Sequence, residues 1–258
     1  MKSVTLAPTV FHLRSGSNMG LIVRDGQALL IDAGLDADAG RRALRIVENR
    51  QAKLTAIIVT HAHADHFGGA RFLQQRLKVP LYAPELEAVV MEHPIIEPLY
   101  LFGGAAPIAA LRQKFTLADP CQVDQTVTPG PVQIGPFQLD VVPLPGHALN
   151  QIGVAVEDAG QRLLFCADAI FPEETIEKHK VLFCVDLDDT LETVETLPDR
   201  PYDCFAPGHG PAYGAGAAME TICDANRDRL EEILDAVYQT LDKPRETSAV
   251  VQHVAERF

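Results

Sequence analysis

The chain has no Cys-x-x-Cys pair, no apolar run of membrane-spanning length, and too few basic residues to balance its acidic ones. Each shortage excludes something. The five cysteines, Cys121, Cys166, Cys184, Cys204 and Cys223, are odd in number and scattered. That pattern argues against a disulfide scaffold or a Cys-x-x-Cys metal or redox motif, and fits reduced, mostly buried thiols in a cytoplasmic protein. The longest apolar stretches, such as 28–31 and 56–59, fall far short of the ~20 residues a bilayer-spanning helix needs. Residues 1–20 hold one lysine and no long apolar core, so no secretory signal is expected. With 22 Lys and Arg against 35 Asp and Glu, the net charge is −13. Such a surface disfavours nonspecific contact with nucleic acid or anionic membranes. A small molecule is the expected partner.

What remains is a chain of 258 residues, 47% hydrophobic, long enough to bury a sizeable core. Glycine and proline are dispersed, so nothing reads as collagen-like or disordered. Residues 20–23 and 28–31 read as strands joined by the turn pair Asp25-Gly26. Residues 36–49 have helical spacing through Ala43, Leu44, Ile46 and Val47. A buried strand at 56–59, a helix at 72–77 and a strand at 80–83 follow. This alternation predicts a layered α/β fold. The segment 85–118 is too apolar for a solvated loop, with Ile95, Ile96, Leu99, Tyr100, Leu101 and Phe102 close together. It reads as helices and a loop that cover the substrate end of a site, pack in the ordinary way, or serve a homodimer contact. Strands are expected again at 132–134, 137–142, 151–156, 162–166 and 203–206, and helices at 189–196, 217–241 and 246–257. The expected division is a catalytic domain over residues 1–215 and a helical tail over 216–258 packed on it.

The chemistry-bearing run is His61-Ala62-His63-Ala64-Asp65-His66, directly after a core strand and before Gly68-Gly69. Residues two apart on extended chain point the same way, so His61 and His63 can reach one point. Asp65 and His66 lie just beyond, where a tight turn can aim them at a second point. Imidazole and carboxylate suit zinc, and also iron or manganese. Three further candidates, His147, Asp168 and His209, each follow an expected strand, where α/β folds place their sites.

Five motifs in order resemble the metallo-β-lactamase-fold superfamily of hydrolases. They are Asp32 in Ile-Asp-Ala-Gly, the HxHxDH run, Pro-Gly-His147, Ala-Asp168 and Pro-Gly-His209, spanning residues 32 to 209. The resemblance implies a four-layer αββα sandwich with a C-terminal helical tail and the site at one edge of the sheets. Carried over by position, His61, His63 and His147 would bind a first divalent ion, and Asp65, His66 and His209 a second. Asp168 would bridge them, and Asp32 would orient a ligand histidine from behind. Two Zn2+ ions, with iron or manganese as alternatives, would then generate a metal-bridging hydroxide, with Asp65 accepting or relaying the proton.

The ligand set also weighs the branches of the family. A bridging Asp168 disfavours the zinc β-lactamases, and His63 stands where flavodiiron proteins carry Glu. The acidic chain lacks the basic segments of nucleic-acid-processing branches. Hydrolysis of a small ester or thioester, as in glyoxalase II, is the preferred expectation. Lys178, Lys180 and Arg112 are candidates for a basic substrate contact. Lactone opening stays open. So do a mononuclear-iron persulfide dioxygenase, with His61, His147 and Asp168 on one iron, and a noncatalytic metal-binding protein of this fold. Cys166, two residues before Asp168, is expected in the core, sharing its face.

Overall fold

A computed structural model describes all residues, 1–258. One sheet is built from β1 (Lys2–Ala7), β2 (Val10–Arg14), β3 (Met19–Arg24), β4 (Gln27–Ile31), β5 (Lys53–Ile58), β6 (Leu81–Pro84) and β7 (Gln125–Val127), adjacent in that order. The second holds β8 (Gly130–Ile134), β9 (Phe137–Pro143), β10 (Ile152–Asp158), β11 (Gln161–Ala167), β12 (Cys204–Pro207) and β13 (Tyr213–Gly214), again in sequence order. The helices are α1 (Ala37–Asn49), α2 (Ala64–Phe67), α3 (Ala70–Leu77), α4 (Glu85–Glu92), α5 (Ile96–Leu101), α6 (Glu173–His179), α7 (Leu187–Thr196), α8 (Ala217–Thr240) and α9 (Thr247–Arg257). None is long and apolar enough to cross a membrane.

Strand alternation creates the layers. Leu21, Leu30 and Ile57 turn to one side of the first sheet and meet Ala43, Val47 and Leu73 of α1 and α3. Their neighbours Ile22, Leu29, Ile31 and Ile58 turn the other way and meet Phe137, Val154, Leu163 and Phe165 of the second sheet. On that sheet's far side, Val142, Ala155, Leu164 and Cys166 pack against Val194 of α7 and Met219 and Ile222 of α8. Strands covered on both faces need apolar residues at every position, which is why the central ones read as unbroken apolar runs. Three cores between four layers make an αββα sandwich.

Each strand and helix expected from the sequence is present, with ends displaced by a few residues. Asp36 caps α1 by accepting from the Asp38 and Ala39 amides. The first four strands form an antiparallel meander, and β1 and β2 were not foreseen. The exposed and half-exposed positions of β1 carry no clean apolar signal. Cys166 and Asp168 do not share a face. Ala167 between them adopts a left-handed backbone (φ 49°), and the β11–β12 ladder shifts register there. Cys166 therefore packs in the outer core, where burial pushes its thiol well above the ordinary range.

His12 of β2 ties the sheets together. Its Nε2 donates to the Pro207 carbonyl at 3.2 Å, and its ring meets Phe165 edge-on. Burial pushes its pKa down to about 4. The unfolded chain then binds the proton more readily, so this neutral histidine stabilises the fold above its ordinary pKa, and that contribution is lost as pH falls toward 4. Acidifying metal-free protein to pH 5 should cost roughly 2 kcal/mol through this group. Denaturant titrations at pH 7 and pH 5 should show a smaller loss for His12→Gln. An equal loss in both proteins would refute the assignment.

Candidate metal centre

Five chain segments leave their strands at one edge of the sandwich. Asp32 follows β4, the His61–His66 run follows β5, His147 follows β9, Asp168 follows β11 and His209 follows β12. The run closes into the single-turn helix α2 rather than a bare turn, with the His66 amide bonded to the His63 carbonyl at 2.9 Å. Glycines fix the approach. A Cβ on Gly68 would collide with the Leu35 carbonyl, and one on Gly208 with the Asp168 carboxylate and the His66 ring. Only hydrogen fits where those segments cross.

Hydrogen bonds decide which nitrogen each imidazole offers. Asp32, in a left-handed backbone (φ 62°), accepts from the Thr60 amide at 2.8 Å, from the Thr60 hydroxyl and from His66 Nδ1 at 2.9 Å. With its proton given to Asp32, the Thr60 oxygen accepts from His61 Nδ1 at 3.1 Å. His147 Nδ1 donates to the Phe183 carbonyl at 2.9 Å, and His209 Nδ1 to the Gly16 carbonyl at 2.8 Å. Four rings thus commit Nδ1 to protein acceptors and turn Nε2 inward. His63 is the exception, since its Nδ1 faces His147 Nε2 at 2.8 Å.

All seven ligand-type residues named from the sequence converge. Mutually close donor groups are His61, His63 and His147, then Asp65, His66 and His209, and also His61, His66 and Asp168. Asp168 spans them, with Oδ1 at 3.4 Å from His66 Nε2, and Oδ2 at 3.6 Å from His147 Nε2 and 3.3 Å from His209 Nε2. Three buried atoms, His61 Nε2, His66 Nε2 and Asp168 Oδ1, have no hydrogen-bond partner in the protein. Orphaned donors of this kind, arranged around a point, fit a cation.

The electrostatics divide the site. Burial together with neighbouring imidazoles pushes His61 well down, and burial and His147 push His63 down to about 3. Burial lowers His147 as well. These rings stand neutral, the form that ligates metal. Burial opposes charge on His66 and His209 too, but Asp168 and the other carboxylates outweigh it and raise both. Asp65 and Asp168 are held below the usual carboxylate range against burial, through His66 and His209.

The profile of the metallo-beta-lactamase superfamily matches residues 13–209. The chain belongs to that superfamily. A hydroxyacylglutathione hydrolase from Nitrobacter hamburgensis is 29% identical over 155 residues, which are 60% of this chain and 48% of that protein. The chain thus spans about half the length of the hydroxyacylglutathione hydrolases it matches. A probable metallo-hydrolase from Bacillus subtilis is 24% identical over 207 residues, 76% of this chain and 85% of the relative. In fold, a metallo-beta-lactamase family protein from Thermus thermophilus superposes with a TM-score of 0.75 at 20% identity, over 97% of this chain and 88% of its own. A subclass B3 metallo-beta-lactamase of Bradyrhizobium japonicum gives 0.71 at 17%, over 94% and 97%.

His63, Asp65, His147, Asp168 and His209 open onto a cavity of about 960 Å³. From the apolar segment 85–118, Leu101 and Phe115 line that cavity. Of the three suggested cations only Lys178 lines the cavity; Arg112 turns back to the Pro107 carbonyl, and Lys180 lies outside the lining. Sequence reasoning missed three groups. Ser17 donates to Asp65 Oδ2 at 2.6 Å. Glu97 lines the cavity, its pKa pushed up to about 8 by burial and by Asp65. Glu87 lies behind the His61–His63 loop, accepting from the Ala62 amide.

Asp32→Asn keeps the left-handed backbone, which asparagine tolerates, but places an amide donor or a weaker acceptor against His66. Metal affinity should fall roughly 10–100-fold. Competition with a chromogenic chelator measures it, and wild-type affinity would remove Asp32 from its supporting role.

Proposed function

We propose that the chain is a metal-dependent hydrolase that holds two divalent cations, zinc foremost, and cleaves a small ester or thioester. The observation that carries this reading is the pair of donor trios joined by Asp168 at the floor of an open cavity. His61, His63 and His147 would hold one ion, Asp65, His66 and His209 the other. The completeness of the second trio favours two ions over the single iron of a dioxygenase. The likeness to hydroxyacylglutathione hydrolases supports ester or thioester chemistry. Free thiols throughout fit a cytoplasmic setting.

When bound, the cations would supply Lewis acidity, making water easier to deprotonate and the scissile carbonyl more electrophilic. The chain's own groups have separate tasks. Asp65 is ionised and held by the Ser17 hydroxyl, and it borders the cavity, so it can take a proton from water and pass it to the leaving group. Phe183 anchors His147 through its carbonyl while its ring lies edge-on to His63 and His147. Phe171 stacks on His209 and also meets His147. Those rings wall one side of the donor cluster. Leu101, Phe115, Val181 and Phe183 line the cavity while each remains over a third exposed, a cluster suited to an apolar acyl group.

Three measurements test the reading. Elemental analysis of native protein should find two divalent ions per chain. A panel of esters, thioesters, lactones and phosphodiesters should show turnover of the first two classes, and no turnover of any member by loaded protein would defeat the hydrolase assignment. His63→Ala should lose an ion and nearly all turnover.

Acyl preference is a separate expectation. Across acetyl to hexanoyl esters, kcat/KM should rise by up to about fourfold per methylene, and Phe115→Ala should flatten the series. A flat series in the wild type would reject the apolar acyl subsite while leaving the hydrolase intact.

A further inference from the structure

Glu87 is a buried carboxylate, 5% exposed, with no ion-pair partner. It stands in the first turn of α4, yet its side chain turns inward. Oε2 accepts from the Ala62 amide at 2.8 Å, and Oε1 accepts from the Asn150 amide at 3.0 Å. Burying an unpaired carboxylate is costly, and two amide donors are the compensation on view. Where those donors sit gives the arrangement its meaning. Ala62 lies between His61 and His63, on the loop leaving the first sheet. Asn150 lies three residues after His147, on the loop between β9 and β10 of the second sheet.

The carboxylate thus joins two loops that approach from opposite sheets. Those loops carry the whole of one donor trio, His61, His63 and His147. The spacing of that trio depends on loop register, because His63 Nδ1 and His147 Nε2 meet across the gap at 2.8 Å. One backbone bond, from Ile152 to the Thr60 carbonyl at 3.1 Å, also crosses nearby. It lies at the strand end of the two segments; the 147 loop is tied also to Val185, Asp186 and Thr193, but those bonds fix it to its own side of the seam and not to the His61–His63 loop. The other trio, Asp65, His66 and His209, takes nothing from the 147–150 loop. Its rings are held by Asp32 and the Gly16 carbonyl.

We propose that Glu87 is a positioning residue that clamps the His61–His63 loop to the His147 loop and thereby sets the affinity of the first metal trio, with little influence on the second. The inference rests on the two-ion reading above. Glu87 touches neither substrate nor metal. It acts through backbone amides, one on each side of the seam.

The test uses Glu87→Gln, which keeps shape and volume but can accept at only one of the two amides. It is made in full-length protein and in two single-site backgrounds. His209→Ala leaves the first trio whole, and His147→Ala leaves the second. Zinc affinity is read by chelator competition, and Co2+ absorption reports ligand geometry at each site. In the His209→Ala background Glu87→Gln should weaken zinc roughly 10–100-fold and alter the Co2+ spectrum. In the His147→Ala background it should change affinity less than about threefold, which is under 1 kcal/mol. Glu87→Ala, lacking both acceptors, should exaggerate the same asymmetry. Thermal melts of the metal-free proteins verify folding. Equal weakening in both backgrounds, or none in either, would overturn the clamp. A wild-type protein that binds no zinc would instead bring down the two-ion reading, and the clamp with it.

Discussion

Asp32 is the constraint on which the site's geometry depends. Its carboxylate has to satisfy the Thr60 amide, the Thr60 hydroxyl and His66 Nδ1 at once, and a left-handed backbone aims it there. The result is a short relay behind the metal centre. Thr60, its proton given to Asp32, has a lone pair for His61, so one carboxylate fixes the tautomers of two rings on different parts of the HxHxDH run. Main-chain carbonyls from Phe183 and Gly16 do the same for His147 and His209. Inward-facing nitrogens are therefore settled by outward-facing bonds, before any ion arrives.

Charge is arranged on the same plan. The His61, His63 and His147 group is pressed toward neutrality by burial and by mutual proximity. Around His66 and His209 the carboxylates of Asp168 and Asp65 prevail over burial and raise both rings. On the proposed two-ion reading, an ion at the second group would compete with protons more than one at the first, so the two would load with different dependence on pH. Asp168, within reach of rings from both groups, is itself buried and held below the usual carboxylate range by His209 and His66.

Much of this was legible in the sequence, for definite reasons. Central strands such as 28–31 and 163–166 are apolar on both faces because both faces are covered, and that leaves an unbroken run to read. The candidate ligands were legible because four imidazole and carboxylate groups crowd into six positions directly after a core strand. The supports were not. Gly16 and Phe183 act through backbone carbonyls, which leave no trace in residue type. Ser17 meets Asp65 across 48 residues of chain. Nothing local in the sequence reveals that α4 and α5 turn Glu87 and Glu97 inward. Cys166 was misplaced relative to Asp168 because strand alternation was carried through Ala167, where the backbone turns left-handed.

The seam between the sheets has a thermodynamic meaning of its own. His61, His63, Asp65 and His66 come from the chain's first half, and His147, Asp168 and His209 from its second. Every donor group mixes the two. Neither half alone owns a complete set, so an ion held here is a rivet through both. Whatever free energy its binding releases is also free energy of docking one sheet on the other. Occupancy and the docking of the two sheets would then be linked, each strengthening the other on top of the apolar core that already joins them.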